Sequence, residues 1–278
     1  MAYQQSISRN IPSAFLFIVD QSSSMSDTMA SGVSKAQFVA DVLNNTLSGL
    51  LQKCQKSEGV RDYFEIGVIG YGHDFVGNSL SPNLQDKVLQ PISKIYENPL
   101  RIEDRKKKIA DGAGGIIEVP VKFPVWFEPK ANGRTPMTRA LTLAVQELAT
   151  WCDNHRDSYP PTVLHITDGE STDGNPEVIT ELLKNVSTDD GNVLVFNLHV
   201  STLQGKAISF PSSETEVSNT YSKMLFRMSS NLPIRVVGFA KDYGYEVEND
   251  PKGFMFNADA ENIVKFFNIG TSTASNLR

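Results

Sequence analysis

The feature that most constrains this chain is a repeated alternation of short apolar runs with stretches of helical period. "AFLFIVD" (14–20) carries no polar residue before its final aspartate. It therefore reads as a strand buried on both faces. Behind it, Val39, Val42, Leu43, Leu47, Leu50, Leu51 and Cys54 recur at helical spacing. Strand-like runs return in "FEIGVIGYG" (64–72), "TVLHITDG" (162–169), "VLVFNLHV" (193–200) and "IRVVGFA" (234–240). Helical stripes separate them, on Leu141, Ala144, Val145, Leu148 and Cys152, then on Val178, Ile179, Leu182, Leu183 and Val186. Two more follow, on Val217, Tyr221, Met224, Leu225 and Met228, and on Ile263, Val264 and Phe267. This order predicts a three-layer α/β fold with a mostly parallel central sheet and helices on both faces. "HDFVGNSL" adds one returning antiparallel edge strand, and a helix is expected near 84–97. No repeat or low-complexity linker divides the chain, so residues 1–278 are read as one domain.

Residues 100–133 break the rhythm with "DRKKK", "DGAGG" and "GIIEVPVKFPVWFEP". A stretch of that length is read as an inserted extended arm. Val119, Val121, Phe123, Val125 and Phe127 alternate, so Ile116–Phe127 is expected to pair or pack. The basic and glycine-rich part before it is expected to stay mobile.

Charge and cysteine usage narrow the function. The formal net charge is −6, which argues against a general nucleic-acid binder. Cys54 and Cys152 form no CxxC pair and sit inside helical patterns, which suits buried thiols in a reducing compartment. The N-terminus has no basic region ahead of an apolar stretch, and no run reaches membrane-spanning length. A soluble, cytoplasmic protein without membrane or nucleic-acid partners is expected.

In open α/β sheets, ligands bind beyond the carboxyl ends of the strands. The first strand ends in Asp20 and runs into "DQSSS", with Ser22 and Ser24 at alternate positions; "TVLHITDGE" delivers Asp168 at an equivalent end. "NGRTPM" places Thr135 in a loop before a helix. Each piece alone has an ordinary explanation, since Ser, Thr and Asp cap helices and Asp-Gly turns follow strands. Capping does not explain why two strand-end aspartates accompany alternating hydroxyls. Asp20, Ser22, Ser24, Thr135 and Asp168 are therefore read together as an all-oxygen metal pocket.

This three-part pattern resembles the von Willebrand factor A domains, a family that includes the integrin I domains. Their metal-ion-dependent adhesion site combines DxSxS, a threonine and a strand-end aspartate, matched in order by "DQSSS", "GRTPM" and "TDGE". The resemblance implies a Rossmann-like fold in which Ser22 and Ser24 hold the metal by their hydroxyls. It implies that Thr135 binds directly in one state and through water in another, with Asp20 and Asp168 acting largely through water. Ser23 departs from the family, which usually has glycine there. "FPVWFEPKANGRTPM" also looks like bacterial cytoplasmic members.

Hydroxyl, carboxylate and water ligands are hard, so Mg2+ is favoured, with Ca2+ or Mn2+ as alternatives and Zn2+ disfavoured. An open position on such an ion would accept a partner's acidic side chain. The expected function is a non-catalytic, Mg2+-dependent protein-interaction module. By resemblance it is an adaptor in a bacterial signalling, stress-response or defence system. One alternative is a scaffold self-assembling through the arm around a structural metal. Another is a metal-dependent phosphatase, disfavoured because Ser22 stands where those enzymes place a second aspartate. No GxSxG, Walker A or HExxH motif is present. His165 and His199 are read as strand residues, His155 as exposed, and His73 as a turn residue near the strand end. Glu170 and "RKKK" (105–108) are read as solvated.

Overall fold

A strand with no polar residue between its two ends can be satisfied only at the centre of a sheet covered on both sides. The computed structural model seats Ser13–Asp20 there, with every residue buried. It describes residues 2–72, 74–110, 115–202, 207–275 and 277, the side chains of 107–110 and 275 excepted.

The main sheet contains β1 (Ser13–Asp20), β2 (Phe64–Gly72), β3 (Phe75–Asn78), β4 (Thr162–Thr167), β5 (Leu194–Val200) and β6 (Phe254–Ala258). Their spatial order is β6-β5-β4-β1-β2-β3. All neighbours run parallel except the returning β3, which is the antiparallel edge strand the sequence predicts. Two-residue strands add antiparallel pairs at Ile208–Ser209, on β6, and Gln90–Pro91, on β2. The chain passes from β1 to β2 on one side and later returns to β4 on the other. The crevice beyond β1 and β4 is thus the point where strand order reverses, the place such sheets keep for ligands.

Among the described residues six main helices cover the sheet: α1 (Lys35–Cys54), α2 (Met137–Asn154), α3 (Pro176–Asn185), α4 (Thr220–Met228), α5 (Ile234–Asp242) and α6 (Ala260–Gly270). Successive β1 side chains point to opposite faces. Phe15, Phe17 and Val19 enter one core with residues of α1, α5 and α6, where Phe17 stacks on Phe267. Ala14, Leu16 and Ile18 enter the other with residues of α2, α3 and α4. Among the described residues, no helix is long and apolar enough to cross a membrane. Cys54 and Cys152 are free and buried, and burial pushes both thiols up to about 12.

The structure corrects several expectations. "IRVVGFA" is not a strand but lies in α5, capped by Pro233, with Val236 and Ala240 buried four residues apart and Ile234 exposed. The strand position falls instead to "FMFNA". The helix near 84–97 is reduced to Ile92–Glu97, preceded by a single 3-10 turn at Pro82–Leu84. Pro91 lacks the N–H and clashes with a preceding turn, so no helix runs through it.

Arg101–Ala110 and Ile116–Val125 pair as an antiparallel hairpin, in register from Arg101 opposite Val125 to Ala110 opposite Ile116. Lys106–Lys108 therefore belong to a paired strand, contrary to the mobile stretch expected there; 111–114 lie outside the described residues. Arg105 is not simply solvated: it packs 3.7 Å over the Phe123 ring and pairs with Asp41 on α1 at 3.0 Å. The hairpin base is anchored by Asn44, whose Oδ1 accepts from Trp126 N and Phe127 N at 2.8 and 3.1 Å. Asn44 Nδ2 donates to Phe127 O at 2.8 Å, and Trp126 Nε1 donates to Ile95 O at 2.6 Å.

Candidate functional site

The chain leaves β1 at Asp20 and enters a 3-10 turn, Ser23–Ser26, before α1. Asp20 Oδ1 accepts from Ser22 N at 2.8 Å, and Oδ2 accepts from Thr167 Oγ1, at the end of β4, at 2.8 Å. Ser22 Oγ lies 3.1 Å from Ser24 Oγ, and Ser24 Oγ donates to Asp168 Oδ1 at 2.6 Å. A Cβ placed on Gly169 would sit 3.8 Å from Ser24 Oγ and 3.9 Å from Thr135 Oγ1. Asp20, Ser22, Ser24, Thr135 and Asp168 thus converge from three separate segments on one small volume.

The ordinary capping explanation does not hold for the hydroxyls. Ser22 precedes the 3-10 turn without making a side-chain cap bond, and α1 is capped by Ser34 instead. Pro136, not Thr135, is the N-cap of α2, again without a side-chain cap. Asp173 supplies the missing acceptors, taking Thr138 N at 2.9 Å and Arg139 N at 3.0 Å. Among the described residues Thr135 Oγ1 makes no hydrogen bond, although Thr135 is only 7% exposed.

The Thr135 loop is held against β1 by backbone contacts. Asn132 N donates to Gln21 O at 2.7 Å, and Gln21 N to Tyr71 O at 2.7 Å. Ser23 N donates to Gly133 O at 3.0 Å, while Gly133 N donates to Ser23 Oγ at 2.7 Å. Gly133 adopts φ 68°, a conformation glycine takes at little cost. At Gly72 a Cβ would stand 2.4 Å from Gln21 O, so only glycine permits this approach. Ser23, the departure from the family pattern, uses its hydroxyl to fasten this loop.

Burial pushes the Asp20 carboxyl up to about 6; bonds from Ser22 and Thr167 oppose that rise, and the Asp168 charge adds to it. Two carboxylates gathered with three hydroxyls form a cluster of hard oxygens that a divalent cation would stabilise. Among the described residues no three His, Cys, Asp or Glu side chains gather to hold a metal. The donor set fits a hard cation, and it does so through hydroxyls.

Sequence reasoning missed Lys35. Its Nζ donates to Asp168 Oδ2 at 2.9 Å and to Asp27 Oδ2 at 3.0 Å, and lies 3.5 Å from Ser24 O. Burial works against this ammonium, but the bond and charge of Asp168, then those of Asp27, hold its pKa above the ordinary lysine value. A signal was present: Lys35 is the first residue of α1, where the helix dipole disfavours a cation.

Of the histidines, His165 is buried, with Tyr71 OH 2.8 Å from Nε2 and Asn197 Oδ1 2.8 Å from Nδ1. His199 stacks on Phe256. His155 is half-buried rather than exposed, stacked on Trp151. Glu170 is exposed, and His73 lies outside the described residues.

No family model and no curated protein matches this chain. Solved structures similar to it include the vWF domain of the type V pili tip protein Mfa5 from Porphyromonas gingivalis, at 10% identity and TM-score 0.43, covering 94% of this chain and 95% of that one. The PilB minor pilin from Streptococcus sanguinis follows at 10% identity and TM-score 0.47, covering 99% of this chain and 63% of that one. Manganese-loaded Plasmodium vivax TRAP protein follows at 18% identity and TM-score 0.34, covering 68% of this chain and 57% of that one. The chain thus spans less than two thirds of the PilB and TRAP chains. This chain's own strand order and register show the α/β fold.

Proposed function

We propose that the protein is a non-catalytic interaction module that binds a partner protein through a divalent cation. The observation that carries this is the convergence of Asp20, Ser22, Ser24, Thr135 and Asp168 at the strand-order reversal, with the hydroxyls of Ser22 and Thr135 unused as helix caps. These five residues would hold the ion, and Mg2+ suits the donors best, with Ca2+ or Mn2+ as substitutes. When bound, the ion supplies an electrophilic centre for an acidic side chain of the partner. The chain's own residues orient the hydroxyls and keep the aspartates buried. Beside the site, Phe75 is exposed with Lys130 Nζ 5.3 Å from its ring, a feature suited to a protein surface.

A cytoplasmic adaptor in a bacterial signalling, stress-response or defence system fits the two buried thiols and the resemblance in "FPVWFEPKANGRTPM". A second reading, self-assembly through the hairpin, draws on outward-facing Ile102, Ile116 and Ile117. Capture of partners from source lysate separates the two. Wild type should retain a protein in Mg2+ and release it in EDTA, while the Asp20→Ala, Asp168→Ala double variant retains none. Equal recovery under all conditions refutes the metal-dependent reading.

A further inference from the structure

A fully buried carboxylate needs a compensating charge, because an ion stripped of water and left unpaired is costly. Asp168 has a side chain with no exposure at all, and its partner Lys35 has a side chain only 6% exposed. Asp20, 1% exposed, is the second carboxylate of the same pocket. Lys35 reaches this place from the first position of α1, where its charge is opposed by the helix dipole. The contact is therefore held by the carboxylates and not by the helix.

The two oxygens of Asp168 are divided between different neighbours. Oδ1 accepts from Ser24 Oγ, on the side of the serine hydroxyls, and Oδ2 accepts from Lys35 Nζ. The ammonium thus withdraws negative charge from the pocket without taking the oxygen that faces the candidate ligands. With both buried aspartates ionised the pocket carries two negative charges, and Lys35 reduces the sum to one; Asp27, which Lys35 also meets at 3.0 Å, has a side chain 58% exposed and is screened by water.

We propose that Lys35 is a built-in counter-cation that sets the charge of this site. It weakens the hold on a divalent ion and leaves the loaded pocket with one uncompensated positive charge, which an external carboxylate neutralises. Without Lys35 the two aspartates would balance the ion by themselves, and the attraction for an anion would be lost. This inference rests on the metal-site reading above and adds to it the residue that makes the site accept an acidic partner. Lys35 acts through Asp168 as a positioning and charge-setting residue.

The test uses Mn2+ as the metal and acetate as the carboxylate, on wild type, Lys35→Met, Lys35→Gln, Lys35→Arg and Asp20→Ala. Free Mn2+ measured by electron paramagnetic resonance gives the affinity. Water-proton relaxation on the loaded protein shows whether acetate replaces bound water. Removing a unit charge a few ångströms from a divalent ion should tighten Mn2+ binding at least about tenfold in Lys35→Met. Lys35→Gln, which keeps a donor for Asp168 Oδ2 and guards against misfolding of the methionine variant, should also bind more tightly. Lys35→Arg should stay near wild type. Acetate should displace water from wild type at lower concentration than from Lys35→Met. Unchanged or weaker Mn2+ binding in both neutral variants overturns the proposal, as does acetate binding indifferent to Lys35. If wild type binds Mn2+, Asp20→Ala does not, and the neutral variants are no tighter, the role of Lys35 alone has failed. If neither wild type nor the Lys35 variants take up Mn2+, the metal-site reading has failed with it.

Discussion

Ser23 and Gly133 grip each other twice, Ser23 N donating to Gly133 O and Gly133 N donating to Ser23 Oγ. The first bond needs only backbone; the second needs the hydroxyl. Ser23→Ala keeps the first and loses the second, at a cost of about 1 kcal/mol in an exposed turn. Because Gly133 stands two residues before Thr135, this loss should also loosen the position of the Thr135 hydroxyl. The expected result is a small fall in melting temperature with a measurably weaker Mn2+ affinity. A fall in stability with unchanged Mn2+ affinity would show that the clasp does not position Thr135.

Asp20 should affect stability with opposite sign in the presence and absence of metal. Its carboxyl titrates near 6 in the fold against an ordinary value of 3.8, chiefly through burial. A raised folded pKa means the ionised form is penalised, so metal-free stability falls as pH rises from about 4 to about 6 and then levels. In EDTA at pH 7.5, Asp20→Asn should therefore be more stable than wild type, by about 3 kcal/mol. With divalent ion at a thousandfold excess over Kd the order should reverse, since binding to the folded state then adds ~4.1 kcal/mol. Urea denaturation with and without Mg2+ measures both. A metal response that survives in Asp20→Asn contradicts the assignment.

Asn44 ties the hairpin base to α1 through both ends of its amide. Replacing it with alanine leaves Trp126 N, Phe127 N and Phe127 O without this partner in a buried setting. Losing several buried partners together should cost about 3 kcal/mol. Urea midpoints of wild type and Asn44→Ala check this. A change below about 0.5 kcal/mol, the level of ordinary surface substitutions, would mean the hairpin base is not anchored there.

These cases show which parts of the molecule can be read in its sequence. β1 is legible because "AFLFIVD" can be satisfied only between two covered faces, and Asp20 at its end follows from that placement. "IRVVGFA" misleads because a continuous apolar run has no period of its own; the exposure of Ile234 opposite buried Val236 and Ala240 arises only in the packed fold. Asn44 sits in the midst of an apolar helical stripe, and its partners lie 82 and 83 positions away, beyond any local pattern. The oxygen donors of the site are legible because strand ends bring them together. Lys35 is not, because its partner Asp168 is 133 positions away. Only its adverse place on the helix dipole hints at that contact.

His165 should make the protein acid-sensitive. It is completely buried, and desolvation lowers its pKa to about 4 against an ordinary 6.5, with the Asn197 bond opposing the shift. Below 6.5 the unfolded chain takes up a proton that the folded chain refuses, so stability is lost as pH falls from about 6.5 to about 4. The full loss is on the order of 3 kcal/mol. His165→Asn should lower stability at pH 7 and flatten this pH dependence. Asp20 titrates with the opposite sign in the same window, but it is common to both proteins and cancels in their difference. Parallel denaturation curves from pH 7 to pH 4 for the two proteins would refute the prediction.

Thr135 should affect binding far more than folding. Its backbone is fixed from two sides: Thr135 N donates to Thr172 Oγ1 at 3.1 Å, and its carbonyl accepts from Thr172 N at 3.0 Å and Met137 N at 2.8 Å. None of these bonds uses the side chain. Thr135→Val preserves shape and volume while removing the hydroxyl, so its melting temperature should stay close to that of wild type. Thr135→Ser preserves the hydroxyl and loses only a methyl group. If the hydroxyl is a ligand, valine should weaken Mn2+ binding by an amount on the order of a contact to a charged group, ~1.5–3 kcal/mol, or about tenfold and upward. Serine should restore most of it. The measurement is Mn2+ affinity for the three proteins, with thermal melts in EDTA as the control for folding. Valine binding as tightly as wild type would remove Thr135 from the site and leave the ion, if bound, to the serines and aspartates alone.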